Sequence, residues 1–563
     1  MFIPATREEL KALGWQKLDI ILVTGDAYVD SPFIGVSVIG KVLIRAGYKV
    51  GIIAQPSVNS GDDIMKLGEP ELFWGVTGGS IDSMVANYTA SKKKRKADDL
   101  TAGGINNRRP DRAVIYYSNL IRRYFKNTRP IVIGGVEASL RRIAHYDYWS
   151  DTIRKSVLFY SKADYLIYGM AEDSILNLAE RIKSKKSAKD LRGICYISTD
   201  RPTEFIVLPS FEEVSRNKNK FHDMFNLFYQ NNDPVTAKGL VQLQDTRYLV
   251  QNPPVENLTT RQLDAIYNLH FERDAHPALK KLGKVKALET IINSITTHRG
   301  CYGECNFCSI AVHQGRTVIW RSQESIINEA REIARRPGFK GYILDVGGPT
   351  ANMYGFECSN KMKYGNCRNK RCVYPDICPK LNVNHNMQIQ LLQSLRKIPG
   401  VKKVFVASGI RYDIVLKDRK YGIKYLKELT EHHVSGQMKI APEHTEDKVL
   451  RLMGKPDKRL LIEFNELFYE FSKSKGKNQF LTYYLIAAHP GCTENDMRQL
   501  KSFASQRLKI NPEQVQIFIP LPSTYSALMY YTEKDPFTGH KIFVEKNIIR
   551  KETQKRIITG KIR

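Results

Sequence analysis

The sequence predicts an α/β protein, in which a doubly wound parallel sheet is followed by a partial (β/α)6 barrel. Three observations predict this fold. Apolar strand-like runs alternate with helical patterns over residues 1–195, and the alternation returns from residue 286 with six further runs. A loop with three cysteines directly follows the first of these six runs. Because barrel chemistry lies at the carboxyl ends of strands, this loop marks the expected site.

Composition narrows the class of protein. The 563 residues are 42% hydrophobic and 26% charged, which excludes a disordered or low-complexity chain. No apolar run reaches the length of a membrane span and no signal core opens the chain, so we expect a cytoplasmic protein with no membrane partner. The net charge of +29 favours an anionic partner such as RNA, although a lysine-rich surface that serves only solubility has the same composition.

The first 195 residues predict a Rossmann-like N-terminal domain. Thr6 and Glu9 have the spacing of a capping box, which opens a helix. Strand-like and helical runs then alternate in the order of βα units. The strand-like runs are residues 19–25, 48–54, 130–133 and 164–168, and helices are expected over residues 36–46 and after residue 168.

The rest of the chain predicts a connector, a barrel and a tail. Residues 196–285 read as a connector, with Pro253 and Pro254 as linker signals. We assign residues 286–530 to the barrel, residues 356–385 to a cysteine-rich insertion within it, and residues 531–563 to a short basic tail. The six strand-like runs of the barrel are residues 291–297, 341–346, 404–407, 437–440, 481–486 and 515–519, with helices over 324–335 and 460–471.

The first cysteine group carries the strongest functional signal. Cys301, Cys305 and Cys308 form the pattern C-x₃-C-x₂-C, and three thiolates on one loop can hold one iron–sulfur cluster. Three ligands leave one iron of a four-iron cluster free to bind a substrate or cofactor. Zinc with His298 or His313 as the fourth ligand is the alternative.

The residues around this group carry a family resemblance. Arg-Gly-Cys-x₃-Cys-x-Phe-Cys, over residues 299–308, resembles the signature of radical S-adenosylmethionine (SAM) enzymes. Four longer stretches resemble the YgiQ-type family of radical SAM proteins, whose substrate is unknown; they are residues 25–30, 144–151, 347–354 and 439–445.

The resemblance implies a chemistry. A [4Fe–4S] cluster on the three cysteines would bind SAM and cleave it reductively to methionine and a 5′-deoxyadenosyl radical. That radical would abstract hydrogen from a substrate, and a flavodoxin or ferredoxin would supply the electron.

Small and polar residues after the second strand are candidates for SAM binding. Gly347 and Gly348 let backbone carbonyls approach a ligand amine, and they resemble the Gly-Gly-Glu motif of the family. Pro349 stands in place of the glutamate, so we expect Thr350 or Asn352 to take the polar role.

Later strand ends supply further candidates. Ser408 could bond the ribose, and Arg411 could pair with the methionine carboxylate through a bidentate fork. His444 and His489 follow the fourth and fifth strands and are candidates for catalysis, although most single histidines are structural. The segment around Cys492 resembles the Pro-Gly-Glu-Thr segment of methylthiotransferases.

A second cysteine group lies in the insertion, near His385. Four thiols have the ligand count of a zinc site or of a second iron–sulfur cluster, while reduced thiols without metal are the alternative. The group consists of Cys358, Cys367, Cys372 and Cys378.

Three other functions stay open. The N-terminal domain resembles the cobalamin-binding-like domains of radical SAM enzymes, which predicts a cobalamin-dependent methyltransferase. Residues 134–138 echo their Gly-Gly-Pro-His-Ala segment, but Glu137 replaces the histidine, so cobalamin is not expected. RNA modification like that of methylthiotransferases is the second alternative. A zinc-stabilised nucleic-acid-binding protein without enzyme activity is the third.

Overall fold

A computed structural model describes residues 1–368 and 370–560 and divides the chain into two compact units. Unit 1 comprises Met1–Glu256 and Ala265–Ile292. Unit 2 comprises Asn257–Asp264 and the chain from Asn293 onward.

Unit 1 is built on a nine-stranded sheet. The strands of the unit are β1 Ile20–Thr24, β2 Val29–Asp30, β3 Val50–Ala54, β4 Phe73–Thr77, β5 Ile131–Gly134, β6 His145–Asp147, β7 Thr152–Arg154, β8 Tyr165–Ile167, β9 Ile194–Ser198, β10 Ile206–Leu208, β11 Leu240–Gln244, β12 Arg247–Gln251 and β13 Asp274–Ala275. The order in the sheet is β10-β11-β12-β9-β8-β5-β4-β1-β3, while β2 pairs with β13 and β6 pairs with β7 outside it. From β3 to β8 every neighbouring pair is parallel, with Ile20 opposite both Val50 and Phe73. The predicted α/β fold with a large parallel sheet is confirmed.

Helices cover this sheet. They are α1 Arg7–Ala12, α2 Gly35–Arg45, α3 Asp62–Met65, α4 Ser83–Asn87, α5 Ala113–Tyr124, α6 Gly135–Leu140, α7 Val157–Ser161, α8 Glu172–Lys183, α9 Phe211–Arg216, α10 Lys218–Gln230, α12 Pro277–Lys280 and α13 Leu288–Ile291, while α11 Thr260–Tyr267 crosses the division between the units. All five residues of β1 are buried, as expected for a parallel strand covered on both faces. The capping box of Thr6 and Glu9 opens α1.

The segment that we treat as a connector from its sequence contains regular structure. Residues 206–251 form β10, β11 and β12, which extend the sheet of unit 1 beyond β9 through antiparallel pairs and one parallel pair. The α helices α9 and α10 precede β11. Short strands of only three to five residues give little periodicity in the sequence, which explains why this segment is difficult to interpret.

Unit 2 is a partial barrel of parallel strands. Its strands are β14 Ser294–Thr296, β15 His298–Arg299, β16 Ile319–Trp320, β17 Tyr342–Ile343, β18 Asp345–Gly347, β19 Lys403–Val404, β20 Gln437–Glu443, β21 Phe480–Ala487 and β22 Val515–Ile517. The pairs β14–β18, β17–β19, β20–β21 and β21–β22 are all parallel, and a parallel bridge between Ile410 and Ile440 links the third strand to the fourth. The predicted (β/α)6 arrangement is confirmed.

Helices complete unit 2. They are α14 Ile310–His313, α15 Gln323–Ala334, α16 Ser359–Tyr364, α17 Asn386–Arg396, α18 Tyr412–Lys417, α19 Gly422–Glu428, α20 Asp447–Met453, α21 Lys458–Ser474, α22 Glu494–Gln506, α23 Tyr525–Thr532 and α24 Ile548–Thr559, with a 3₁₀ turn at Pro379–Leu381 and a π-helical turn at Leu429–His433. Among the described residues, none of these helices or those of unit 1 has the length and apolar character to cross a bilayer.

Helix α24 is tied into the barrel although its sequence reads as part of a basic tail. It packs against α22 and β22, and its Ile558 is fully buried. The Gln554 side chain accepts a hydrogen bond from the Ala488 N–H at 2.9 Å and donates one to the Cys492 carbonyl at 3.2 Å. Helix α24 therefore supplies hydrogen-bond partners to the backbone that follows the end of β21.

Candidate active site

The first cysteine group lies on a loop that is fixed at both ends. At its start, β15 pairs with β16, and Gly300 adopts a φ of +81° where a Cβ would lie 2.0 Å from the Thr317 carbonyl oxygen, so only glycine fits there. Towards its other end, the Asn306 N–H donates to the Met453 carbonyl at 2.9 Å. The Asn306 side-chain amide donates to the backbone carbonyl of Leu452 at 2.8 Å. The loop is thus held in one conformation.

All three cysteines of this loop line one cavity at the carboxyl ends of the barrel strands, which encloses about 150 Å³. Its walls combine apolar side chains with a few polar ones. The other lining residues are Gly303, Glu304, Phe307, Ile310, Ala311, Pro349, Thr350, Gly409, Ile410, Arg411, Tyr412, Asp413, Ala441, Glu443, Lys455 and Pro456. Neither His298 nor His313, the alternative zinc ligands, is among them.

Burial is the largest electrostatic effect on Cys308 and Cys301. Together with the neighbouring Cys305 and Cys301, it raises the pKa of Cys308 to about 12. Burial also raises the pKa of Cys301, which the Thr350 hydroxyl, 3.5 Å from its sulfur, opposes. Bound iron would displace these protons, because metals bind thiolates.

The cavity supplies three cysteine sulfurs, whereas a structural zinc site takes four protein ligands. Three thiolates are the ligand set that the family resemblance implies for a four-iron cluster with one open iron. Within residues 1–368 and 370–560, no group of three or more cysteine, histidine, aspartate or glutamate side chains is already arranged to hold a metal ion.

Arg411 enters the cavity beside the cysteine loop. Its Nε and Nη2 donate to the two carboxylate oxygens of Asp413 at 3.0 and 2.5 Å, and its Nη1 lies 3.8 Å from the Cys305 sulfur. The bidentate face that we expect to bind a methionine carboxylate is thus taken by Asp413, and Nη1 is left towards the cavity. The Asp413 carboxylate, acting against the effect of burial, raises the pKa of Arg411, so the guanidinium stays charged.

Asn352 holds the backbone of Arg411 in place. Its side chain accepts from the Arg411 N–H at 2.8 Å and donates to the Arg411 carbonyl at 3.0 Å. The Asn352 amide also lies 3.3 Å from Nε2 of His385, whose Nδ1 is 2.8 Å from the Asp418 carboxylate. Asn352 is therefore a support for Arg411 and does not line the cavity.

The segment after β18 contributes different residues from those expected first. Pro349 and Thr350 line the cavity, whereas Gly347 and Gly348 do not. A Cβ at Gly348 would lie 2.6 Å from the His298 ring, so this glycine permits close packing. The Ser408 hydroxyl donates to the Asp345 carboxylate and is also absent from the cavity wall.

Glu443 and Lys455 line the cavity, although the sequence interpretation did not select them. Glu443 ends β20 with a φ of +69°, which is unusual for a residue other than glycine. Burial raises the pKa of its carboxyl group, and the Lys455 charge opposes this shift. Strained backbone of this kind is common where a side chain is held for a function.

The two candidate histidines lie outside the cavity wall. His444 is fully buried, its Nδ1 accepts from the Glu446 N–H at 3.0 Å, and burial lowers its pKa to about 4. His489 lies behind Phe307, its Nε2 is 2.7 Å from the Ser526 hydroxyl, and burial lowers its pKa to about 3. The chain directs Glu443 rather than the adjacent His444 to the cavity.

The carboxyl edge of the sheet in unit 1 is filled by its own side chains. Arg109, whose side chain is fully buried, donates to the Gly25 carbonyl at 3.0 Å and to the Asp26 carboxylate at 2.7 Å, and it lies 3.2 Å from that of Asp98. A Cβ on Gly25 would lie 2.2 Å from the Gly78 carbonyl oxygen. The ends of β1 and β4 thus touch through their backbones.

Glu137 lies at the same edge of the sheet, just after the end of β5. Its two carboxylate oxygens accept from the Ser83 N–H at 2.9 Å and the Val114 N–H at 3.1 Å. Burial raises the pKa of this carboxyl group. Glu137, at the position of the expected histidine, is therefore bonded within unit 1.

The sequence of the chain is similar to those of known proteins. Residues 2–294 match the radical SAM N-terminal family, and residues 295–504 match the radical SAM superfamily. A UPF0313 protein of Fusobacterium nucleatum subsp. nucleatum is 58% identical over 561 residues, which is 100% of this chain and 99% of the relative. One of Thermotoga maritima is 49% identical over 565 residues, again 100% and 99% of the two chains. The chain belongs to the UPF0313 family of radical SAM proteins.

A solved structure agrees on the fold. The cobalamin-dependent radical SAM enzyme OxsB is similar with a TM-score of 0.51 at 14% identity, covering 93% of this chain and 56% of OxsB. This UPF0313 protein is thus a radical SAM enzyme whose cofactors are a [4Fe–4S] cluster and SAM, and its substrate is unknown. Enzyme activity replaces the alternative of a purely nucleic-acid-binding zinc protein.

Proposed function

We propose that Cys301, Cys305 and Cys308 hold the [4Fe–4S] cluster, and that SAM binds beside it in the cavity of unit 2. The single observation that carries this proposal is that all three thiols share one cavity with Arg411 and Glu443. When bound, the cluster and SAM supply reductive cleavage of a C–S bond and a 5′-deoxyadenosyl radical, which abstracts hydrogen from the substrate.

The charged residues of the cavity match the charges of the methionine part of SAM. Nη1 of Arg411 is left free by Asp413 and would donate to the methionine carboxylate through a single contact. Glu443 lines the cavity, and its carboxylate would accept from the methionine ammonium in place of the missing Gly-Gly-Glu glutamate. Thr350 would fix the position of Cys301 through its hydroxyl.

Apolar residues would protect the radical. Phe307, Ile310 and Ala311 follow or interleave the cysteines, while Ile410 and Tyr412 flank Arg411 in the cavity wall. Such a wall excludes water and competing hydrogen donors from the reacting carbon. The enzyme needs a one-electron reductant, and we propose that a flavodoxin or ferredoxin supplies the electron.

We further propose that unit 1 takes no cobalamin. Ligands of open α/β sheets bind outside the carboxyl ends of the strands. Here the Arg109 ion pairs and the backbone contact of Gly25 with Gly78 occupy that edge, which supports this proposal. Protein produced in cells supplied with cobalamin should lack corrin absorption after purification; stoichiometric cobalamin would contradict this proposal.

The main test is anaerobic reconstitution with iron and sulfide, followed by an assay for 5′-deoxyadenosine and methionine. We expect release of both products with dithionite, and loss of release to the assay background in Cys308→Ala. Cys195→Ala, which removes a thiol buried in unit 1, is the matched control and should keep activity. Equal release by Cys308→Ala and the wild type would refute the assignment of the cluster.

The same assay can identify the substrate class. Cellular RNA and a small-metabolite extract are added separately, because the positive net charge favours an anionic substrate. We expect RNA to accelerate the release of 5′-deoxyadenosine more than the extract does. The opposite ranking would exclude RNA as the preferred substrate.

A further inference from the structure

The second cysteine group packs directly behind the loop of the first. Tyr302 on that loop is 1% exposed, and its hydroxyl donates to the Phe356 carbonyl at 3.2 Å. The apolar cluster around Tyr302 includes Cys358, Val373 and Ile377, with Cys372 packed against it. The insertion and the cysteine loop therefore share one core.

Three of the four cysteines of the insertion lie close together. Cys358 precedes α16 and Cys378 precedes the 3₁₀ turn at Pro379–Leu381, and these two elements pack against each other. The Cys378 N–H donates to the Cys372 carbonyl at 2.9 Å. Cys367 is exposed and lies on the segment that leads into Cys372.

A buried lysine stands against this group. Lys361 is only 6% exposed, its Nζ lies 3.5 Å from the Cys372 sulfur, and it also donates to the Arg316 carbonyl. The same ammonium lies 5.2 Å from the centre of the Tyr302 ring. Across residues 1–368 and 370–560, no carboxylate forms an ion pair with Lys361.

A buried ammonium requires a counter-charge. The Cys372 sulfur, 3.5 Å from the Lys361 Nζ, would supply this charge as a metal-bound thiolate. A metal held by four thiolates carries a net negative charge, which would compensate Lys361. Metal binding would thus hold the four sulfurs as thiolates and give the Lys361 ammonium its counter-charge.

We propose that Cys358, Cys367, Cys372 and Cys378 bind a second metal centre, separate from the cluster on Cys301, Cys305 and Cys308. The four sulfurs are not gathered around one point in the described chain, so binding brings the exposed Cys367 and the partly buried Cys372 and Cys378 together with the buried Cys358. Through Lys361 and Tyr302, the centre braces the insertion against the loop of the first cluster.

The test measures metal in a chain that lacks the first site. Full-length protein with Cys301→Ala, Cys305→Ala and Cys308→Ala is purified anaerobically, and its iron, sulfide and zinc are determined. We expect about one zinc, or about four irons with sulfide, per chain. Adding Cys358→Ser and Cys372→Ser should remove this metal, whereas adding Cys195→Ala should not.

Two outcomes would overturn the proposal. The first is a triple variant without bound metal, and the second is residual metal that persists after Cys358→Ser and Cys372→Ser. If the variants with buried changes fail to fold, Cys367→Ser serves instead, because this residue is exposed. It should lose metal to a chelator about tenfold faster than the parent chain; an unchanged rate counts against the site.

Lys361 allows a second measurement with a matched control. Lys361→Met removes the charge and keeps the length of the side chain, so we expect about tenfold faster release of the residual metal. Lys363→Met changes an exposed lysine on the same helix and should leave the rate unchanged. Equal rates for the two variants would contradict a role of Lys361 in compensating the centre.

Discussion

The carboxyl ends of the parallel strands carry different structures in the two units. In unit 1, the carboxyl ends of β1, β4 and β5 are covered by Arg109, Asp26 and Glu137, which bond to one another or to backbone. In unit 2, the carboxyl ends of the strands surround a cavity lined by three thiols, Arg411 and Glu443. One edge is closed by internal pairs, and the other is left open to a ligand.

The difference shows how the same strand-end position becomes structural or functional. In unit 1 the buried guanidinium of Arg109 has two carboxylate partners within the unit. In unit 2 the Lys455 charge opposes the effect of burial on the Glu443 carboxyl group, and Nη1 of Arg411 faces sulfur. Incompletely matched buried charges are typical of functional sites, and here they lie at the edge where we propose that SAM binds.

The largest expected effect is a loss of stability when the ion pairs at the carboxyl edge of the sheet in unit 1 are removed. Arg109→Leu leaves Asp26 and Asp98 buried without their cation, so we expect unit 1 to lose about 3–5 kcal/mol of unfolding free energy. Guanidinium denaturation followed by tryptophan fluorescence measures this loss, because Trp74 is buried in the sheet of unit 1.

Arg122→Leu is the control for that change. Its pair with Asp164 is 2.9 Å long but the two side chains are 31% and 42% exposed, so we expect at most about 1 kcal/mol. Similar losses for the two variants would show that the closed edge does not depend on its ion pairs.

The open edge is tested by Glu443→Gln. The amide keeps the shape but loses the charge that we assign to the methionine ammonium, so SAM should bind about tenfold more weakly, equivalent to about 1.4 kcal/mol. Equilibrium binding of SAM to the reconstituted enzyme measures the effect.

The matched change for the open edge is Glu446→Gln, which neutralises a nearby carboxylate that does not line the cavity. It should leave SAM affinity unchanged. Equal weakening by both substitutions would mean that general charge, rather than contact with Glu443, governs affinity.

An effect of pH on stability is expected in both units. Burial lowers the pKa of His145 in unit 1 to about 4 and that of His489 in unit 2 to about 3. Both rings are neutral when folded, so their contribution to stability is complete above the unfolded pKa of about 6.5 and is lost as pH falls towards the folded values. Each histidine should add a slope of about 1.4 kcal/mol per pH unit in that window.

Unfolding of His489→Gln between pH 7 and pH 5 measures this slope. The variant should lose stability less steeply than the wild type as the pH falls. His540→Gln, at an exposed position, is the control. An unchanged slope in His489→Gln would show that this ring does not remain neutral in the folded protein.

The smallest expected effect concerns Thr350. Thr350→Val removes the hydroxyl that lies 3.5 Å from the Cys301 sulfur and keeps the shape of the side chain. We expect SAM cleavage to slow by less than about tenfold, which corresponds to roughly 1 kcal/mol. Thr350→Ser should restore most of the rate; a slower serine variant would point to packing instead of hydrogen bonding.

Sequence reasoning could predict the fold and the cysteine loop because both depend on local patterns. The apolar runs of β1 and β21 and the spacing of Cys301, Cys305 and Cys308 are visible in the sequence itself. It could not predict the wall of the cavity, since that depends on contacts between distant segments. The positive φ of Glu443 and the approach of Lys455 leave no mark in the sequence.

The hydrogen-bond partners of the predicted site residues could not be predicted from the sequence either. Arg411 and Ser408 have the chemistry expected of SAM ligands, but Asp413 takes the bidentate face of the arginine and Asp345 takes the serine hydroxyl. These pairs form only when the barrel brings strand ends together. The weak periodicity of residues 206–251 likewise concealed three strands of unit 1.

Helix α24 has a consequence for how the protein is made. The Ala488 N–H donates its hydrogen bond to a side-chain oxygen 66 residues later, near the end of the described chain. A ribosome therefore releases β21 long before the group that completes it has been synthesised. The contacts of Gln554 with Ala488 and Cys492, which hold α24 against the barrel, can form only after translation has passed residue 554.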